Sequence, residues 1–129
     1  MKVFLGPYEE QVERIKDIEI HDYDTWSMDN TLALIIHPML VQLKETTHGY
    51  PSGLTEQEWD EILDEMIWAF KQKCRDEWLD DYILPEEHRV QLGSPERLDM
   101  NTEERIQAHQ ERMNNGFCLF GKYYENLWD

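Results

Sequence analysis

The chain has 129 residues, which predicts one domain, and its longest uninterrupted apolar run, Leu32 to Ile36, falls far short of the roughly 20 residues that span a bilayer. Twelve Lys and Arg against 28 Asp and Glu leave a formal net charge of −16, which opposes nonspecific binding to bare nucleic acid and to anionic membranes. A 40% hydrophobic share, with 12% aromatic residues, supplies a core and argues against disorder.

Residues 1–23 predict a two-stranded ribbon. Lys2–Leu5 is a β-type run ended by the turn signal Gly6-Pro7, and Ile18-Glu19-Ile20-His21 alternates as a half-buried strand does. Between them, Glu9 to Arg14 reads as one helical turn or a loop. A ribbon of two strands is marginal alone and is expected to pack on helices. The opening residues lack the apolar core and cleavage site of a signal peptide, and a cytosolic protein is expected.

A helix is predicted over 27–45. Ser27 is the natural N-cap, with Asp29 in the first turn suited to the helix dipole. At ~100° per residue its apolar side chains fall on nearly every side, the mark of a central helix. Pro38 removes one amide donor inside it, and a bend is expected there.

The second helix, 55–74, has the clearest start signal. Thr55-Glu56-Gln57-Glu58 is a capping box, and Leu54 with Trp59 can form the hydrophobic staple. Its core stripe reads Trp59, Ile62, Leu63, Met66, Ile67, Phe70 and Cys74. Arg75–Asp81 is a continuation or a second short helix. Residues 84–100, with Pro85, Gly93, Ser94 and Pro95, predict an irregular connection.

The last helix, 101–128, starts at Asn101 with Glu104 as its reciprocal cap. Its stripe is Ile106, His109, Met113, Phe117, Phe120, Tyr124 and Leu127. Gly116 on the apolar side either breaks this helix or admits a crossing helix closely; the close crossing is the preferred reading. The whole predicts a mostly helical α+β domain spanning 1–129, in which the ribbon packs on three main helices around a Pro-bent central one.

Four residues stand out as ligand-binding candidates: Trp26, Asn30, His37 and Trp68. Asn30, His37 and Lys44 recur every seven residues as one polar stripe on an apolar rod. Such a stripe either meets solvent and core hydrogen bonds or lines a pocket, since small-ligand sites are apolar cavities with a few convergent polar groups. Trp68 lies opposite the core stripe of its helix, among Gln57, Glu61, Asp64, Glu65 and Gln72. An indole there serves a second buried interface, a partner site or a base-stacking platform. Packing against the irregular connection is the most economical of these. The stretch His21-Asp22-Tyr23-Asp24-Thr25-Trp26 gathers carboxylates, imidazole, phenol and indole before a helix N-terminus. It reads as a strand-to-helix junction, an anion site or a weak metal site through His21, Asp22 and Asp24.

Glu58-x-x-Glu61 and Glu77-x-x-Asp80 imitate the paired carboxylates of all-α nucleotide pyrophosphohydrolases, which hold Mg²⁺. One unbroken helix through both pairs would hold Glu61 and Glu77 about 24 Å apart at ~1.5 Å per residue, too far to share an ion. No Gly-rich phosphate loop, Ser/His/Asp signature or zinc spacing is present, so no catalytic residue, metal or cofactor is assigned. Cys74 and Cys118 have no CxxC or metal spacing; they form a disulfide or stay reduced, and reduced thiols are expected. His48 and His88 fall in predicted loops without companions and are expected to be exposed to solvent.

Two blocks carry a resemblance. One is Asp24-Thr25-Trp26-Ser27-Met28-Asp29-Asn30-Thr31-Leu32-Ala33, continuing through Pro38-Met39-Leu40 to Lys44-Glu45-Thr46 and His48-Gly49. The other joins Asp64-Glu65-Met66-Ile67-Trp68-Ala69-Phe70 to Ala108-His109-Gln110 and to Asn115-Gly116-Phe117, ending in Lys122-Tyr123-Tyr124-Glu125-Asn126-Leu127-Trp128-Asp129. Together with Lys2–Tyr8 they resemble a group of small to medium tailed-bacteriophage proteins, over most of the chain except roughly 72–100. Asn30 stands where that group's pattern leads one to expect His. The resemblance implies an accessory role in host takeover or counter-defence, in the host cytoplasm, and transfers no catalytic residue.

The function expected is therefore non-enzymatic: binding and sequestering a small ligand, with a nucleotide-derived signal as the class considered first. The alternative is an acidic nucleic-acid mimic that inhibits a basic host protein. A Mg²⁺-dependent nucleotide hydrolase ranks third.

Overall fold

The computed structural model describes residues 1–9, 13–75, 79 and 100–129. Strands β1 (Lys2–Leu5) and β2 (Lys16–Glu19) form an antiparallel ribbon with Val3 opposite Ile18 and Leu5 opposite Lys16. A single 3-10 turn, Asp22–Asp24, leads into three helices: α1 (Met28–Thr46), α2 (Glu56–Cys74) and α3 (Met100–Lys122). A second 3-10 turn, Tyr124–Asn126, follows. The fold is α+β and mostly helical. No helix among the described residues is long and apolar enough to cross a membrane.

The second helix starts where its capping box directs. The Thr55 hydroxyl accepts from the Glu58 amide at 3.1 Å, and the Glu58 carboxylate accepts from the Thr55 amide at 3.2 Å. The core is built on this helix: Leu63, Met66 and Ala69 have no exposed surface and Trp59 is 2% exposed. Trp59 meets the edge of Tyr123, and Phe70 meets Phe117 and Phe120 edge-on. These offset aromatic contacts suit the ring quadrupoles.

Gly116 settles how α3 approaches. It lies inside an unbroken helix, and a Cβ there would collide with that of Ala69 and come within 2.7 Å of the Glu65 carbonyl oxygen. The missing side chain lets two backbones cross closely, as preferred from the sequence.

Several expectations need correction. The middle helix is α2, which packs on both α1 and α3. The first helix, expected at the centre, buries only Ala33 and Leu40 fully, and it leaves Leu32, Leu34, Ile35 and Met39 exposed. Pro38 lies inside it, as expected. Ser27 takes the N-cap position, yet its side chain makes no capping bond.

The second strand sits two residues earlier than expected, because pairing extends to Lys16 opposite Leu5. Both strands are exposed at every position, so the ribbon is not the half-buried layer expected. The last helix ends at Lys122, six residues before the expected 128. Gly121, at roughly 1 kcal/mol against helix, weakens that last turn, and Tyr123 leaves the helix to meet Trp59. Expectations for 10–12, for most of 76–99, and for the side-chain cap at Asn101 lie outside the described residues.

Candidate functional site

The polar stripe of α1 lies along α2. Asn30 Nδ2 donates to the carbonyls of Lys73 at 2.7 Å and Cys74 at 3.4 Å, satisfying acceptors that the end of α2 leaves open. Beside it, Lys73 Nζ pairs with Asp29 at 2.6 Å, and the Cys74 thiol donates to the Ala33 carbonyl at 3.3 Å. The Lys73 hydrogen bond, with help from the Asn30 amide, holds the Asp29 carboxyl below its ordinary range. Burial pushes the Cys74 thiol up. Both cysteines are free thiols. At the other end of α1, Lys44 Nζ bonds Asp64 Oδ1 at 2.5 Å. His37, half-buried, lies between these two ties.

Trp68 belongs to the seam between α2 and α3. Its ring lies 5.0 Å from that of His109, and the Arg112 guanidinium stands 3.9 Å from its centroid. Glu65 holds Arg112 through two bonds of 3.1 and 2.9 Å, and His109 Nε2 lies 3.1 Å from Gln72 Oε1. This is a helix-to-helix contact made by the face opposite the sequence-defined stripe. Trp26, in the turn before α1, is 85% exposed. The four candidates thus occupy three places: Asn30 and His37 on the α1 side of α2, Trp68 on its α3 side, and Trp26 on the surface.

The acidic junction before α1 also separates. Asp24 is buried, accepting the His21 amide at 2.7 Å and facing the terminal ammonium at 3.2 Å. These contacts, the amide first, hold its carboxyl below the ordinary range. Asp22 is exposed. Among the described residues, no group of three His, Cys, Asp or Glu side chains converges for a metal.

Of the paired acids, Glu58 serves the cap and Glu61 accepts from Gln57 at 3.4 Å. The helix stops at Cys74 and Arg75 is extended, so of the two readings left open for Arg75–Asp81 the direct continuation of α2 is ruled out. Glu77 and Asp80 lie outside the described residues. His48 is exposed, as expected of its loop, and its Nδ1 lies 3.4 Å from Asp129 Oδ1.

A groove opens between α1 and the C-terminal segment that runs from the end of α3 through the Tyr124–Asn126 turn to Asp129. Ile36, Met39, Leu40 and Leu43 form one wall, Phe120, Tyr124 and Leu127 the other, with Gln42, Thr46 and Asp129 as polar members. Its volume is about 700 Å³. α1 and α3 both pack on α2, and the gap left beside α1 is lined on its far side by Phe120 of α3 and by Tyr124 and Leu127 beyond it. Sequence periodicity had placed most of these residues in the core; the signal it missed was an α1 apolar on more sides than one neighbour can cover. Comparison with protein-family models, with curated proteins and with solved structures gave no match to this chain.

Proposed function

We propose that this chain is a non-enzymatic binding protein that sequesters a small, largely apolar ligand in the groove between α1 and the C-terminal segment. The observation that carries the reading is the groove itself, about 700 Å³ and lined mainly by aliphatic and aromatic side chains. That size and character match small-molecule sites, which run to roughly 300–1,000 Å³ with a few polar groups fixing orientation. Gln42, Thr46 and Tyr124 supply such groups. Asp129 is the charged member of the lining and favours a donor or cation on the ligand. A nucleotide-derived signal would have to enter by its base or sugar, with its phosphates directed away from that carboxylate. The resemblance to phage proteins gives the setting: an accessory protein that withholds a host or defence-derived molecule.

The test uses Nile red, a neutral apolar fluorophore. Its emission should rise on titration with the protein, and Tyr124→Ala or Leu127→Gln should weaken binding about tenfold, or ~1.4 kcal/mol. Unchanged binding in both folded variants, or no binding to the wild type, would remove the groove as the site.

A further inference from the structure

A second apolar feature of α1 involves residues that the core leaves exposed. Met28, Leu32, Ile35 and Met39 are 53, 39, 38 and 65% exposed. They follow one another at steps of four, three and four residues, the a/d alternation by which one helix seats against another. The seam is about 16 Å long at ~1.5 Å per residue.

Charge decides what it meets. In a chain with 28 Asp and Glu, the 19 residues of α1 carry only Asp29, Lys44 and Glu45 as formal charges. Asp29 is held by Lys73 and Lys44 by Asp64, and Glu45 lies beyond the end of the seam. A surface built for a basic partner is complemented by flanking carboxylates; α1 does not supply them. A surface that must approach another strongly acidic copy has to be locally neutral, and between Met28 and Met39 α1 itself carries one formal charge, Asp29, which Lys73 pairs.

We infer that the Met28–Met39 face of α1 pairs with the same face of a second copy. The two helices run antiparallel about a two-fold axis between Leu32 and Ile35. Met28 of one copy then meets Met39 of the other, and Leu32 meets Ile35, so the contact is self-complementary and closed. One helix pair covers well under the roughly 800 Å² per partner of a standard interface, so the result is a monomer–dimer equilibrium. The net charge of −16 on each copy opposes it, and screening by salt therefore strengthens association. Met39 also lines the groove, which places the second copy at its lip.

Sedimentation equilibrium of the full chain, at low and high salt, tests this. The dimer fraction should rise with protein concentration and with salt. Leu32→Glu and Ile35→Glu, at half-exposed positions outside the groove lining, should weaken association at least tenfold while keeping the helical circular dichroism. If either variant loses that signal, Leu32→Gln and Ile35→Gln provide the same test with a milder change. A wild type that stays monomeric at both salts overturns the pairing, as does a dimer indifferent to these substitutions. A monomer that binds a basic Lys/Leu amphipathic peptide through Leu32 and Ile35 also overturns it and assigns the face to a cationic partner. Nile red binding is read separately in Tyr124→Ala and Leu127→Gln, so failure of the pairing and failure of the groove are distinguishable.

Discussion

Gly116 is the residue on which the helical packing turns. Replacing Gly by Ala inside a helix ordinarily gains roughly 1 kcal/mol of propensity. Here the new methyl meets Ala69 and the Glu65 carbonyl, and backbone must move. Gly116→Ala is expected to lose roughly 2 kcal/mol or more in urea unfolding, the overpacking cost outweighing the propensity gain. A stabilised variant would show that α2 and α3 do not cross this closely. Asp24 gives a pH signature at the same scale. Its carboxyl is held below the ordinary value of 3.8, so the stability it contributes is present above that value and lost as pH falls through its folded pKa. The unfolding midpoint of Asp24→Asn should therefore fall less steeply than that of the wild type on acidification from about pH 5 to pH 2. Parallel profiles would contradict the assignment.

At the level of elements, the local signals were legible and the long-range ones were not. Thr55 and Glu58 announce the start of α2 because both cap bonds lie within four residues, and Thr55→Ala should cost about 1 kcal/mol in thermal or urea unfolding. The stripe from Trp59 to Phe70 likewise names the core, since helical spacing alone determines which side chains share a face. What periodicity cannot supply is which neighbour covers which face. An apolar-all-round α1 looked central, yet the contact between Gly116 and Ala69 draws α3 onto α2 and leaves part of α1 uncovered. The candidate site suffered from the same gap. Asn30 and Lys44 were recognisable as a stripe, but their partners, the end of α2 and Asp64, lie far along the chain. Trp68 was visible as an aromatic off the core stripe, and its role became readable only with His109 and Arg112 in place. Trp68→Ala should lower stability by roughly 1–3 kcal/mol, less than a fully buried aromatic loses, and leave Nile red binding unchanged. Loss of binding without loss of stability would return Trp68 to the site.

For the whole molecule, the net charge of −16 and the apolar surfaces of α1 make opposite salt predictions. A neutral ligand held by aliphatic walls should bind with an affinity nearly flat in ionic strength, because exposed charges are screened over about 8 Å at physiological salt and contribute little to such contacts. Binding of a basic protein to the acidic surface would weaken steeply over the same range. Calorimetric titrations at low and high salt separate the two, and a steep decline for a neutral ligand would move it out of the groove.

If the proposed function holds, the ligand sits in the groove beside α1 that opens because α1 and α3 are both seated on α2. Methyl and indole NMR spectra of the full chain, recorded as Nile red is added, locate the ligand residue by residue. Shifts should concentrate at the methyls of Ile36, Met39, Leu40, Leu43 and Leu127, with the indole signals of Trp26 and Trp68 unmoved. Shifts centred on those two indoles, with the groove methyls silent, would contradict that placement.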